Sequence, residues 1–336
     1  MTSKPRLQDH NLRDTYGRVI DYLRVSVTSR CDLRCVYCTP GPRPRTAGDE
    51  LRDKEILRVV RAAARLGVRR VRLTGGEPTL RPGLTGLVES IAAIEGIEEV
   101  SLTTNGLRLS GMAAELRRAG LQRVNVSLDS LRPDRFRRIT RGGELPRVLD
   151  GLAAAEAAGL APLKLNVVVV RGLNDDELVE LAGLTVEHLW HVRFIELMPI
   201  GNQGDWGAEF PLPADRFLPV QEMRHRLAEL TLEPAEAPSG AGPARTFRLR
   251  GAQGTVGFIA PLGQRFCHAC NRLRLTSDGR LRPCLLAGAD LSIRGALRSG
   301  APLEPLLLRA VAAKPEGHGL HRGWLANDLH MCEIGG

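Results

Sequence analysis

Short apolar runs alternate with alanine- and leucine-rich stretches along the first two thirds of the chain. Six runs are typical of strands: YLRVSVT from Tyr22, VRLTGG from Val71, EVSLTTNG from Glu99, RVNVSLD from Arg123, LKLNVVVV from Leu163 and HVRFIELMPI from His191. The stretches between them have the periodicity of amphipathic helices, roughly at 51–66, 84–95, 111–119, 145–158 and 175–183. Repeated βα units predict an α/β fold with a parallel sheet and right-handed crossovers.

The strands are not continuously apolar, as strands buried on both faces usually are. In each of the first five strands the polar residues occupy every second position, and such a set is called here the polar parity of the strand. The sets are Arg24, Ser26 and Thr28; Arg72 and Thr74; Ser101, Thr103 and Asn105; Arg123, Asn125, Ser127 and Asp129; Lys164 and Asn166. Because alternate side chains face opposite sides of a sheet, we predict an incomplete (βα)6 TIM-like barrel around a polar, cationic cavity. The alternative is a set of half-exposed strands whose polar face meets solvent. In the sixth strand Arg193 and Met198 differ in parity, so the alternation fails there or needs a bulge.

Proline and glycine become frequent after the sixth strand, around one helical stretch near 215–230. We therefore predict a partial barrel over 1–205, a connector with one helix over 206–245, and a C-terminal region over 246–336. The N-terminus has no apolar signal region, and no long apolar run follows, which favours a cytoplasmic protein without a membrane partner. In such a reducing compartment the seven cysteines are expected to serve metal or redox chemistry.

The formal net charge of +9 suits nucleic acid, a membrane surface or a small polyanion. No basic run favours the first two partners. Lysine is rare, since the basic side chains other than Lys4, Lys54, Lys164 and Lys314 are arginines. A lysine inside the strand LKLNVVVV is therefore unexpected, because an ammonium and a guanidinium are not interchangeable at a tight site.

Three cysteines occur in the loop directly after the first strand: Cys31, Cys35 and Cys38, in CDLRCVYC. Three thiolates on a four-iron cluster leave one iron without a protein ligand, free to bind a small molecule. Zinc would need a fourth ligand, and no histidine lies between Thr28 and Gly75. Zinc and free thiols remain alternatives.

A second set, Cys267, Cys270 and Cys284, is spaced C-x2-C-x13-C. Its spacing also fits a zinc ribbon completed by His268 or Cys332. A fourth protein ligand such as Cys332 would leave no iron open for a substrate.

CDLRCVYC resembles the cysteine motif of the radical S-adenosylmethionine (SAM) enzymes. The resemblance implies a partial six-fold barrel and a [4Fe-4S] cluster that cleaves SAM to a 5′-deoxyadenosyl radical. LTGGEP, from Leu73 to Pro78, is similar to the glycine-rich strand end that receives the methionine moiety in that family. A glycine permits such close approach because it has no Cβ.

With CNRLRLT and the terminal IGG, the chain from about Tyr22 to Gly336 resembles the GTP 3′,8-cyclases, lyases of molybdenum cofactor biosynthesis. The resemblance assigns one [4Fe-4S] cluster to each cysteine set, with guanine on the free iron of the second. It assigns SAM binding to Tyr37, Gly76, Ser127 and Met198. It assigns GTP binding to Arg24, Arg72, Thr103, Lys164, Arg272, Leu273 and Arg274. It places the catalytic tail, Gly335 and Gly336, beside the substrate.

Further partners implied are an electron donor such as flavodoxin or ferredoxin and the next pathway enzyme, cyclic pyranopterin monophosphate synthase. The chain is expected to be a monomer or a homodimer. Two alternatives remain open: a two-cluster radical enzyme that modifies a peptide, and a zinc-stabilised nucleic-acid-binding protein. The second conflicts with a polar stripe inside six strands and with an aromatic content of 4%.

Overall fold

The computed structural model describes residues 12–38, 50–200, 206–211, 215–238, 242–264, 266–288, 290–318 and 331. Its centre is a run of six parallel strands that lie side by side in chain order. They are β1 (Tyr22–Ser26), β2 (Arg70–Thr74), β3 (Glu99–Thr104), β4 (Arg123–Ser127), β5 (Leu163–Val169) and β6 (Trp190–Glu196). Each coincides with a predicted strand, so the α/β class and the parallel sheet are confirmed.

Strands from the C-terminal half extend this run at both edges. They are β7 (Leu232–Pro234), β8 (Arg245–Leu249), β9 (Thr255–Ile259), β10 (Arg272–Leu275), β11 (Arg280–Arg282) and β12 (Leu291–Ser292). β9 pairs in parallel with β6, and β10 pairs in parallel with β1. Among the described residues the sheet runs from β12 to β7 without closing, which confirms an incomplete barrel. The domain boundaries at 205 and 245 stay a prediction.

The helices are α1 (Asp53–Arg65), α2 (Leu84–Ala92), α3 (Ala113–Arg118), α4 (Pro133–Thr140), α5 (Leu145–Ala157), α6 (Leu178–Glu187), α7 (Val220–Arg226), α8 (Arg294–Ser299) and α9 (Glu304–Ala312). Sequence periodicity did not predict α4, because its only large apolar residues are Phe136 and Ile139. No helix in the described part of the chain has the length and apolar composition that crossing a membrane requires.

The apolar side chains at alternate positions of each strand point outward and pack against the helices. Leu23 and Val25 of β1 belong to one buried cluster with Ile56 and Val59 of α1. Helix α1 begins where the Glu55 carboxylate accepts a hydrogen bond from the backbone N–H of Arg52 at 2.8 Å. The apolar core therefore lies between sheet and helices, which leaves the inner face of the sheet to polar residues.

Most of the polar residues that alternate along the strands are buried on the inner face of the sheet, and the others are partly buried. Ser101 is fully buried and Asn125 is 3% exposed, so the alternative of half-exposed strands is wrong. β6 ends at Glu196. Met198 therefore lies beyond the strand, so its difference in parity from Arg193 requires no bulge.

Candidate active site

A cavity lies where the polar inner faces of the strands meet. Its wall includes eight of the residues predicted for the site: Arg24, Arg72, Met198, Cys267, Cys270, Arg272, Arg274 and Cys284. The arginines come from β1, β2 and β10, whereas the cysteines come from the C-terminal region. The fold thus brings cationic and thiol side chains, far apart in sequence, to one space.

A row of arginines crosses this wall. Arg24 lies in register with Arg72 on one side and with Arg274 on the other. Burial and the charge of Arg274 lower the pKa of Arg24 well below its usual value, and burial and Arg272 lower the pKa of Arg274 to about 10. Clustered, desolvated guanidinium groups favour a multiply charged anion as ligand.

Asn125 on β4 links two of the cavity arginines. With its side-chain oxygen turned toward them, it accepts hydrogen bonds from Arg72 Nη1 and, at 2.8 Å, from Arg193 Nη2. Arg72 Nε also donates to Ser101 Oγ at 3.1 Å. Burial and Arg72 lower the pKa of Arg193 to about 9. Asn125 and Arg193 also line the cavity, and sequence reasoning assigned a role to neither, although the parity of Asn125 on β4 pointed to it.

Thr103 and Lys164 lie on either side of Asn125 in the register of β3, β4 and β5. Thr103 Oγ1 is buried and has no hydrogen-bond partner among the described residues, as expected of an atom that contacts a ligand. Lys164 is 4% exposed and lines a smaller cavity that shares Arg193 with the main one. Burial and the charge of Arg193 lower the pKa of Lys164 to about 6.

Leu273 differs from the other predicted GTP contacts. It is fully buried in the apolar cluster, whereas Arg272 and Arg274 on either side line the cavity. Alternate side chains of a strand face opposite sides, so the Leu273 side chain points away from the cavity. Only the backbone atoms of Leu273 could therefore contact a ligand in the cavity.

The second cysteine set borders the cavity beside these arginines. Cys270 N–H donates to the Cys267 carbonyl at 3.1 Å, which closes a tight turn between the two thiols. Burial alone would raise the pKa of Cys270, but the charges of Arg272 and Lys314 outweigh it and lower the pKa to about 6. A thiol of that pKa is mostly thiolate at neutral pH, the form that ligates metal.

The first cysteine set lies in the loop after β1, as predicted. Backbone hydrogen bonds of 3.0 Å fix this loop to the end of α4, from Arg34 to Thr140 and from Val36 to Ile139. A further one, from Cys38 to Cys35, is also 3.0 Å. The loop is therefore held by packed secondary structure.

The glycine pair after β2 holds the other side of this loop. Gly76 N–H donates to the Thr28 carbonyl at 2.8 Å, and Glu77 N–H donates to the Arg30 carbonyl at 2.7 Å. A Cβ on Gly75 would lie 2.3 Å from Thr28 O, and one on Gly76 would lie 2.2 Å from Arg30 O. The cysteine loop itself thus requires both glycines, in addition to the SAM contact predicted for Gly76.

The predicted SAM residue Tyr37 is hydrogen-bonded to Asp129, which follows the predicted SAM residue Ser127 closely in sequence. Tyr37 Oη donates to Asp129 Oδ2 at 2.6 Å, and Asp129 Oδ1 accepts from Val168 N–H at 2.9 Å. Burial raises the pKa of Asp129 to about 6. Asp129 lies two residues beyond Ser127 at the end of β4, where the sequence placed it on the polar parity but assigned it no role.

The donor chemistry of both cysteine sets fits an iron–sulfur cluster. Within the described residues the six cysteines of the two sets form no disulfide bond and are partly buried, and soft thiolates are the usual ligands of such clusters. No group of three or more His, Cys, Asp or Glu side chains in the described ranges is arranged to hold a single metal ion. The predicted catalytic residues Gly335 and Gly336 lie outside the described residues, as do Cys332 and most of the segment 40–50.

Comparisons with known proteins identify the family of the chain. The model of the radical SAM superfamily matches residues 25–185, and the model described as Molybdenum Cofactor Synthesis C matches residues 190–320. A GTP 3′,8-cyclase of Pelotomaculum thermopropionicum is 49% identical, with 97% of this chain and 100% of the relative covered. A GTP 3′,8-cyclase of Moorella thermoacetica is 48% identical, with the same coverage.

A solved structure, that of Streptococcus suis SuiB bound to precursor peptide SuiA, resembles the fold with a TM-score of 0.64 at 17% identity. The match covers 95% of this chain and 69% of SuiB, and it concerns the fold alone. The sequence identity of 48–49% to these relatives, over nearly their full length, assigns the chain to their family. The chain belongs to the GTP 3′,8-cyclase family, within the radical SAM superfamily.

Proposed function

We propose that this protein is a lyase that converts GTP to (8S)-3′,8-cyclo-7,8-dihydroguanosine 5′-triphosphate, the first step of molybdenum cofactor biosynthesis. The observation that carries this function is the joint presence of Cys267, Cys270 and Cys284 with Arg24, Arg72 and Arg274 around one cavity. The thiols suit a cluster and the guanidinium groups suit a triphosphate. The name of the relatives supports the same substrate.

The cofactors of this reaction would be two [4Fe-4S] clusters and SAM. Cys31, Cys35 and Cys38 would hold the first cluster, and Cys267, Cys270 and Cys284 the second. When bound, these groups supply electron transfer and radical chemistry. Tyr37, Gly76, Ser127 and Met198 would contact SAM.

The chain's own residues bind and orient the substrate. Guanidinium groups of Arg24, Arg72, Arg272 and Arg274 would hold the triphosphate through charge-assisted hydrogen bonds. Apolar residues beside the cysteines, Ile259 and Leu285 among them, would pack against the guanine ring and exclude water. Fixing the ribose and the base relative to each other can supply roughly 7–11 kcal/mol of the barrier.

Thr103 and Lys164, the backbone of Leu273, and the tail residues Gly335 and Gly336 complete the proposed site. A terminal pair of glycines has the small volume that a chain end needs to enter an occupied cavity. An acidic electron donor, a flavodoxin or a ferredoxin, would be attracted by the net charge of +9. The product would pass to cyclic pyranopterin monophosphate synthase.

A peptide-modifying radical enzyme is the second candidate, and it has only a likeness of fold in its favour, to SuiB bound to precursor peptide SuiA at 17% identity. The buried arginine row favours GTP instead, since a peptide has no need for three adjacent guanidinium groups. The experiment is an anaerobic reaction of the reconstituted protein with GTP, SAM and dithionite, followed by mass spectrometry of the nucleotides.

We expect about eight iron per chain and a cyclised nucleotide. Cys270→Ser should lose about half of the iron and the cyclised product, and still cleave SAM. Zinc without labile sulfide in the second set, or GTP returned unchanged by the wild type with both clusters loaded, would contradict the proposal.

A further inference from the structure

Lys314, which follows α9, has a buried ammonium group whose three N–H donors are all used. Its side chain is among the buried polar groups, with the residue 3% exposed. Nζ donates to the Pro283 carbonyl at 2.7 Å, to the Arg272 carbonyl at 2.9 Å and to Cys270 Sγ at 3.4 Å. An ammonium group carries three donors, so its hydrogen-bonding capacity is filled.

These three contacts join the separate chain segments that carry the second cysteine set. Pro283 directly precedes Cys284, and Arg272 follows Cys270 by two residues. One side chain therefore fixes the backbone next to two of the three cysteines and also contacts the sulfur of one.

Arg18 secures the third cysteine of the set. Its Nη1 donates to the Cys267 carbonyl at 2.8 Å and to the Glu316 carbonyl at 3.0 Å. Its Nη2 donates to the Pro315 carbonyl at 2.6 Å. Helix α9 precedes Lys314 and Arg18 fixes the two residues that follow it, so the ammonium has little freedom to leave its three acceptors.

The residue type is informative because the chain strongly prefers arginine, with Lys4, Lys54, Lys164 and Lys314 as its only lysines. Lys54 is exposed on α1, whereas Lys164 and Lys314 are buried. A guanidinium spreads its donors over several nitrogens in one plane, whereas an ammonium directs three donors from a single nitrogen. The three acceptors around Lys314 Nζ therefore suit lysine better than arginine.

We propose that Lys314 is a positioning residue of the second cluster: it holds the cysteines of this set in place and, through its hydrogen bond to Cys270 Sγ, raises the reduction potential of the cluster. The proposal rests on the proposed function only in assigning a cluster to Cys267, Cys270 and Cys284. A cationic donor on a cluster sulfur stabilises the added electron, and hydrogen bonds to sulfur are among the protein's means of setting such potentials.

The test uses the full chain with Cys31, Cys35 and Cys38 changed to Ser, so that only the second cluster contributes. Lys314→Gln keeps two N–H donors and removes the charge. Lys54→Gln is the matched control, because it removes the same charge from an exposed lysine of α1. Each protein is reconstituted anaerobically, its iron is measured, and its midpoint potential is determined by redox titration followed by electron paramagnetic resonance.

We expect Lys314→Gln to retain its iron and to make the reduced cluster about tenfold less populated at a fixed potential, a midpoint about 59 mV lower for one electron. Lys54→Gln should match the parent in both measurements. Equal iron and an equal midpoint in Lys314→Gln and the parent would overturn the proposal.

If Lys314→Gln loses the cluster, the melting temperature of the apoprotein shows whether the cause is at the cluster site or in the fold. A melting temperature equal to that of the parent apoprotein would mean that Lys314 acts on the cluster site, which supports the proposal. A protein that no longer folds would mean a purely structural role, which overturns it. A parent chain that binds zinc in place of iron would overturn the proposed function as well, whereas an iron-loaded parent with an unchanged variant would overturn only the role of Lys314.

Discussion

At the scale of single residues, the low pKa of Lys164, a proposed GTP contact, predicts that substrate binding is linked to proton uptake. Burial and Arg193 lower this pKa to about 6, so most Lys164 side chains are neutral at pH 7.5 in the absence of ligand. A triphosphate beside Lys164 would favour the ammonium form and raise the pKa, so we expect the binding of GTP to take up a proton. Affinity should therefore fall as the pH rises above about 6, and level off beyond the pKa of the complex.

Lys164→Arg tests this linkage, because a guanidinium group stays protonated in both states. Calorimetry of GTP binding at pH 7.5, in two buffers of different ionisation enthalpy, measures the proton uptake. We expect substantial uptake in the wild type and a clear loss of it in Lys164→Arg. The exposed Lys54→Arg serves as the control and should behave as the wild type. Equal uptake in all three proteins would contradict the role of Lys164.

Site residues that belong to a sequence motif, or to the polar positions of a strand, could be predicted from the sequence. Cys267, Arg24 and Arg72 are of this kind, and all three line the cavity. The polar alternation also places Asn125 on the inner face, but its hydrogen bond to Arg193 and that of Lys314 to Pro283 join residues that are distant in the chain. Spacing along a sequence carries no information about such partners, so these two contacts became visible only in the fold.

At the scale of elements, backbone hydrogen bonds join the end of β2 to the loop after β1. Gly76→Ala would place a Cβ 2.2 Å from the Arg30 carbonyl, so the cysteine loop would have to move. We expect this variant to lose the first cluster, about half of the iron, and cleavage of SAM, while the second cluster remains. Iron analysis and the yield of 5′-deoxyadenosine measure the two effects.

Gly86→Ala is the control for this change, since a Cβ on Gly86 of α2 meets nothing within 4 Å. Alanine favours a helix by about 1 kcal/mol over glycine, so this variant should be at least as stable as the wild type. Full iron content and normal cleavage of SAM in Gly76→Ala would show that the loop tolerates the displacement.

The central strands and most helices follow from local patterns, because each run of residues carries its own period. The outer strands do not. β10 pairs with β1 across about 250 residues of sequence, in the register of Tyr22 with Arg272. A short apolar run cannot indicate which edge of a sheet it will join, so the sequence predicted a C-terminal region over 246–336 without predicting the strands that widen the sheet.

At the scale of the whole molecule, the C-terminal strands cover both edges of the six-strand run. β9 lies on β6 and β10 lies on β1, so a chain that ends at residue 245 would expose both edges. It would also lose Val256, Phe258, Leu273 and Leu275, which are buried. Each contributes about 1.5–3 kcal/mol, and together they are comparable with the whole stability of a typical domain, about 5–15 kcal/mol.

We therefore expect residues 1–245 alone to aggregate or to lack a cooperative thermal transition, because unpaired strand edges promote association between chains. The full chain should unfold in a single transition, with the same midpoint by far-ultraviolet circular dichroism and by tryptophan fluorescence. The fragment and the full chain are compared at equal protein concentration, with their cysteine thiols kept reduced. A soluble 1–245 fragment with a sharp transition of its own would show instead that this part of the chain folds independently.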